Sequence, residues 1–178
     1  IQNAVLPDNL YFDKKQTLIF FKPRDIVSGD FYYFNENKNH KIIAAADCTG
    51  HGVPGAFMSM LGVSFLNEIV KSGIPKASEI LEELRREVKK ALRQHGQDSG
   101  QKDGMDIALC LIDKHKAELQ YAGAYNPLVI SRDKQIIERK AVRNPIGVYR
   151  KEKAFVNNRL VLQEGDMIYL FSDGFPDQ

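Results

Sequence analysis

The chain has 178 residues, 43% of them hydrophobic and 27% charged, the balance of an ordinary globular domain with room for a sizeable core. The 25 Lys and Arg against 23 Asp and Glu leave a formal charge of +2, too small a footprint for nucleic acid or an anionic membrane. Two cysteines, Cys48 and Cys110, exclude a disulfide framework and suit a reducing, cytoplasmic setting, which is compatible with a membrane-tethered parent protein.

Residues 1–7 (IQNAVLP) read as the last turn of an incoming helix ended by a proline. Residues 1–8 are thus expected to close a linker that continues from an upstream sensor region, and residues 9–178 to form the domain. Asn3, Pro7, Asp8 and Asn9 interrupt any signal peptide. A start at Ile1 and a stop at Gln178, with no closing element, read as a piece of a longer protein whose domain is incomplete at its C-terminal end.

Residues 17–21 form a short apolar run that predicts a strand, and residues 31–34 and 41–46 predict two more around a polar turn at 35–39. A glycine-bearing loop at 48–53 leads into a helix over residues 54–72. Its apolar stretch is broken by Pro54, Ser59, Ser64, Asn67 and Glu68. It therefore reads as a buried helix of a soluble domain, with no insertion into a membrane, and with Phe57, Leu61, Phe65, Leu66 and Ile69 in the core.

A second helix is predicted over 77–94. Ala77, Ile80, Leu81, Leu84, Val88, Ala91 and Leu92 recur at helical steps, Ser78 is the expected N-cap, and the charged face points outward. A polar loop at 97–105 precedes strands expected at 107–112, 117–122, 128–131, 135–139, 155–162 and 167–171. Strands do not alternate with helices, so the expected class is α+β, with antiparallel sheets covered by helices.

Four acids sit where a strand ends or a glycine opens the backbone: Asp30, Asp47, Asp103 and Asp173. Each one alone competes with a simple Asx-turn reading. Converging carboxylates repel unless cations lie between them, and oxygen-only ligands favour magnesium or manganese over zinc. Asp25, Asp133 and Asp166 read as turn or surface residues. Four histidines and two cysteines show no zinc spacing, no Gly-x-Ser-x-Gly elbow is present, and glycines 50, 52 and 55 are not a dinucleotide fingerprint.

In chain order come residues 28–32 (SGDFY), 46–56 (ADCTGHGVPGA), 103–106 (DGMD), 123–127 (GAYNP), 145–147 (PIG) and 171–174 (FSDG). Together they resemble the sporulation protein E branch of the metal-dependent (PPM, type 2C) serine/threonine phosphatases, across roughly residues 5 to 178. The resemblance implies a two-layer antiparallel β-sandwich flanked by helices, with metals at one edge between the sheets. It also implies two Mn2+ or Mg2+ ions about 3.5–4 Å apart. Asp47 matches the bridging ligand, the Cys48 main-chain carbonyl and Asp30 match ligands of one metal, and Asp173 matches a ligand of the other. Asp103 matches the acid of a third, weaker site, with Asp106 as the fallback. A further ligand of the second metal lies beyond Asp173 in the family, and Asp177 is a poor substitute for it.

His51 is the candidate general acid, although it stands four residues after the bridging aspartate where the wider family places a histidine two residues on. Its competing role is to fix the loop by hydrogen bonding. Lys22 and Arg24 are candidates for pairing with phosphate. The implied reaction is hydrolysis of phosphoserine or phosphothreonine on a protein, of the anti-sigma-factor antagonist type, by a metal-bridged water. Two other classes remain at this stage: a catalytically inactive phosphatase-like binding module, and an output or dimerisation piece of a sensor protein.

Overall fold

Alternation along the strands sets the architecture. From His40 to Cys48 every second side chain is buried, which places Ile42, Ala44, Ala46 and Cys48 on one face. The computed structural model describes residues 2–7, 16–23, 25–94 and 102–174. In chain order these form α1 (Gln2–Val5), β1 (Phe31–Glu36), β2 (His40–Cys48), α2 (Gly52–Lys71), α3 (Ala77–Ala91), β3 (Met105–Asp113), β4 (Glu118–Ala124), β5 (Leu128–Arg132), β6 (Gln135–Arg139), β7 (Asn158–Val161) and β8 (Met167–Tyr169). Five strands make one sheet in the order β1-β2-β3-β4-β7, three make a second in the order β6-β5-β8, and every ladder between these strands is antiparallel. The expected α+β architecture of antiparallel sheets with helices is the one adopted.

Two cores follow from the two faces of the large sheet. On one face Phe31, Ile42, Ile107, Leu109 and Leu111 pack with Val63 and Leu66 of α2 and with Ile80, Leu81 and Leu84 of α3. On the other, Ala108, Cys110, Leu119 and Tyr121 meet Leu128 and Ile130 of the small sheet. Each fully buried aliphatic side chain contributes about 1.5–3 kcal/mol relative to exposure. Asp133 and Lys134, both at positive φ (47° and 63°), make the two-residue turn between β5 and β6. The Arg132 guanidinium grips Asp166 through two bonds of 2.8 and 2.6 Å and holds its carboxyl below the usual range, so Asp166 is a built ion pair rather than a bare turn residue.

Several expectations need correction. Residues 17–21 form no strand: Leu18 is 93% exposed and Phe20 75%, and although the Phe21 ring meets Tyr32 of β1 at 5.5 Å, the run makes no backbone ladder, so propensity alone does not build a strand. The strand expected at 155–162 is confined to Asn158–Val161. Phe155 is occupied elsewhere, its N–H donating to Glu82 Oε1 (2.8 Å) and its ring lying 4.6 Å from the Arg85 guanidinium. The N-cap of α3 is Lys76, and Ser78 sits inside the first turn, where its N–H reaches Asn157 Oδ1 at 3.2 Å. That helix ends at Ala91, three residues early; Gln94 lies beyond it and is buried.

Helix α2 is long and apolar enough to cross a membrane by length and composition, yet half of its apolar window is buried inside the protein. Its buried positions are 55, 56, 58, 59, 62, 63, 66, 69 and 70. Residues 53, 57, 64, 68 and 71 form the opposite stripe, so Phe57 faces solvent (64% exposed) while Leu66 and Ile69 are core and Phe65 is half-buried against it.

Candidate active site

Strand register builds the site. Phe31 of β1 pairs with Ala46 of β2, so Asp30, one step before the ladder, falls beside Asp47. Asp47 in turn pairs with Asp106 of β3. Three carboxylates therefore stand in a row across the end of three strands, which are spaced about 4.8 Å apart. Because Ala46 and Cys48 belong to the helix-side core, alternation turns Asp47 toward the small sheet. Asp106 likewise shares the face of Ala108 and Cys110, between the sheets. Asp173 arrives from the opposite layer, four residues after β8 ends.

The gathering has a clear electrostatic signature. Burial, the Asp30 carboxylate and then Asp173 hold the Asp47 carboxyl up at about 8, and Asp47 lies within hydrogen-bonding reach of both neighbours. Burial and the Asp173 charge push Asp106 up to about 6. Ser172 Oγ donates to Asp30 Oδ2 (2.8 Å), and the Asp30 N–H donates to Ser28 Oγ (3.0 Å). Among the described residues no three His, Cys, Asp or Glu side chains are arranged as a finished metal cage. Asp47 instead lies close enough to Asp30 and Asp173 that the three disfavour one another's charge. A donor set of oxygens that cannot all ionise together fits a hard divalent cation, which would offset that repulsion.

Beside the row lies a polar cleft of about 240 Å³, lined by Asp47, Cys48, Thr49, Gly50, Met105 and Asp106. A larger depression of about 560 Å³ lies over α3. Its walls are Ile74 and charged side chains that already have ion-pair partners, among them Arg85 with Glu82 and Lys89 with Glu152, and it holds none of the clustered acids.

The loop after β2 depends on close backbone approach. A Cβ on Gly29 would stand 2.7 Å from the Gly50 carbonyl oxygen and 3.0 Å from that of Cys48; one on Gly55 would collide with the same Gly50 carbonyl. Thr49 N–H donates to the Gly104 carbonyl (2.9 Å), which ties this loop to the start of β3. The Cys48 thiol points into the core, and burial pushes its pKa up, so only its main chain can serve the site.

The structure thus brings Asp30, Asp47 and Asp173 together and adds Asp106. Asp103 precedes β3 by two residues; its carbonyl accepts from Gln94 Nε2 (2.6 Å), while the acid aligned with Asp47 is Asp106. His51 heads α2 with its side chain 80% exposed and Nδ1 3.5 Å from Asp25 Oδ2. Lys22 is exposed, and neither it nor His51 lines the cleft. Arg24 and Asp177 lie outside the described residues. Tyr125, one step past the last β3–β4 pair, feels the Asp106 charge and bonds to the Tyr149 hydroxyl at 3.1 Å; only register, not spacing, could have located it.

Known proteins share this arrangement of chain and fold. The family model for stage II sporulation protein E (SpoIIE) matches residues 37–178. Phosphoserine phosphatase RsbU of Bacillus subtilis (strain 168) is 31% identical over 156 residues, 85% of this chain and 44% of RsbU, so the chain spans less than half of that relative. The SiaA-PP2C domain of Pseudomonas aeruginosa is 33% identical with a TM-score of 0.87, covering 99% of this chain and 69% of that one. The PP2C phosphatase domain of SpoIIE from Bacillus subtilis, 23% identical, has the same fold at a TM-score of 0.68 over 86% of this chain and 42% of that one. The matched span runs from the end of β1 through Asp47, Asp106 and Asp173, and on these grounds the chain belongs to the stage II sporulation protein E family.

Proposed function

We propose that the protein is a metal-dependent phosphatase that hydrolyses phosphoserine or phosphothreonine on a partner protein. The observation that carries this reading is the convergence of Asp30, Asp47 and Asp173, which keeps the Asp47 carboxyl protonated up to about 8 when no cation is present. Asp47 is the central ligand, Asp30 and the Cys48 carbonyl complete one metal position, and Asp173 belongs to the other. Asp106, standing beside Asp47, and Asp103, upstream of it, are the acids for a weaker third position. Bound there, two Mn2+ or Mg2+ ions would supply an activated water and shield the phosphoryl charge.

The chain's own contribution is placement. Ser172 orients Asp30, β2 and β3 fix Asp47 and Asp106 on a rigid sheet edge, and the polar cleft admits a phosphate carried on a chain. His51, exposed beside Asp25, would have to turn toward the cleft to give a proton to the leaving hydroxyl, and Lys22 would have to do the same to meet the phosphate; Arg24 is the other candidate for that pairing. No cysteine nucleophile takes part, because the Cys48 thiol is buried and its pKa raised. RsbU carries the name of a phosphoserine phosphatase, which supports a phosphoserine substrate; in this reading that phosphoserine is carried on a cytoplasmic anti-sigma-factor antagonist.

The test is phosphate release from p-nitrophenyl phosphate and from a phosphoserine protein, with Mn2+ and with chelator. Hydrolysis that needs Mn2+ and disappears in Asp47→Asn supports the reading. Hydrolysis indifferent to chelator overturns it, and Mn2+ binding without turnover identifies a binding module instead.

A further inference from the structure

One side chain of α1 reaches the catalytic edge. Gln2 is 8% exposed; its Oε1 accepts from the Ser28 N–H (3.0 Å), and its Nε2 donates to the Ser28 carbonyl (2.5 Å) and to Ser59 Oγ (2.8 Å). Ser59 lies on the buried face of α2, with its hydroxyl 2.9 Å from the Ala56 carbonyl and 3.3 Å from that of Ser28. Gln2 therefore pairs with both main-chain groups of Ser28, as a neighbouring strand would.

Residues 28–30 precede β1 and take no ladder bonds from it. They are fixed by side chains instead. Gln2 holds Ser28 at one end; Ser28 Oγ takes the Asp30 N–H (3.0 Å); Ser172 Oγ holds the Asp30 carboxylate at the other end (2.8 Å). Between them Gly29 rests on the carbonyls of Gly50 and Cys48. The sequence motif around Gln2 has no other task in the proposed reaction.

We propose that Gln2 is a positioning residue for the Asp30 carboxylate, setting from α1 the direction in which segment 28–30 presents that acid to Asp47. The consequence for metal affinity rests on the reading given under Proposed function. The role requires an amide, because the Ser28 N–H needs an acceptor and the Ser28 carbonyl a donor. A carboxylate at position 2 would face the Ser28 carbonyl with no proton to give, and a thioether would leave both groups of Ser28 unpaired.

The experiment compares wild type with Gln2→Glu and Gln2→Met, each checked for folding by its thermal midpoint. Amide exchange at Ser28 and Asp30 is read without metal; Mn2+ binding is read by calorimetry, and p-nitrophenyl phosphate turnover at saturating Mn2+. Gln2→Met, which takes the acceptor from the Ser28 N–H, should raise Ser28 exchange by about tenfold, whereas Gln2→Glu keeps that acceptor and should not; both should weaken Mn2+ binding by about tenfold, the loss expected when buried partners are left unmatched. Turnover should recover to within about twofold at saturating Mn2+, a split between affinity and rate that a merely structural role does not produce. Should either variant fail to fold, Gln2→Asn, whose amide is one methylene short, carries the same comparison. Unchanged Ser28 exchange in Gln2→Met, or unchanged Mn2+ affinity in folded variants, overturns the proposal. A wild type that binds no Mn2+ defeats the hydrolase reading instead, and the exchange data then decide by themselves whether Gln2 orders the segment.

Discussion

On its helix side the five-stranded sheet presents Phe31, Ile42, Ala46, Ile107 and Leu109 to α2 and α3, all of them buried. On its other side the same strands carry Ile43, Ala108 and Cys110 toward the small sheet and then run out, at one edge, into Asp30, Asp47 and Asp106. One alternation produces both faces. The first removes apolar surface from water and stabilises the fold; the second gathers like charges and opposes it. Repulsion held in place by a rigid sheet marks an edge built for a ligand rather than for stability.

The largest break in that contrast should come from Asp47→Asn. Turnover should fall by more than about 100-fold, beyond the loss seen when a residue merely supporting a ligand is changed. The metal-free thermal midpoint should stay level or rise, since a repelling carboxyl has gone. A drop in both would mean that Asp47 belongs to the stabilising face.

The converse holds for Leu66→Ala, which empties a fully buried site in the helix-side core. It should cost about 2–5 kcal/mol in urea unfolding, while Phe57→Ala, on the exposed stripe of the same helix, should stay within about 0.5 kcal/mol. Equal effects would show that α2 is seated differently.

Smaller still is the pH effect. Folded Asp47 keeps its proton up to about 8, against an ordinary value of 3.8, so the folded state binds more protons than the unfolded state between those limits. The stabilisation is complete below about pH 4 and is lost as pH rises through about 8. Thermal melts of metal-free protein should therefore drop by a few degrees from pH 5 to 8, and Asp47→Asn should flatten that slope. A midpoint that climbs over this range would show that other groups dominate. Cys48→Ala should be the mildest, leaving turnover within about twofold because in the proposed reading the site uses only the carbonyl at that position; a folded but inactive variant would point to thiol chemistry.

Much of the site was legible in the sequence, since Asp30, Asp47 and Asp173 each adjoin a strand end or a glycine. The choice between Asp103 and Asp106 was not, because it depends on which β3 residue pairs with Asp47, and local letters do not encode register. The class of the fold followed from element order, yet Phe57 was misplaced. In a helix with apolar residues on both stripes, composition leaves the phase undecided, and only the seating on the sheet settles it. Residues 17–21 show the same limit from the other side: propensity proposes a strand, but a ladder needs a partner.

Calorimetric titration of Mn2+ into the wild-type chain and into Asp30→Asn, Asp47→Asn and Asp173→Asn tests the central claim most directly. Saturable binding in the wild type that is sharply weakened in all three variants is the predicted result. Binding of equal strength in the wild type and the Asp47→Asn protein would contradict it.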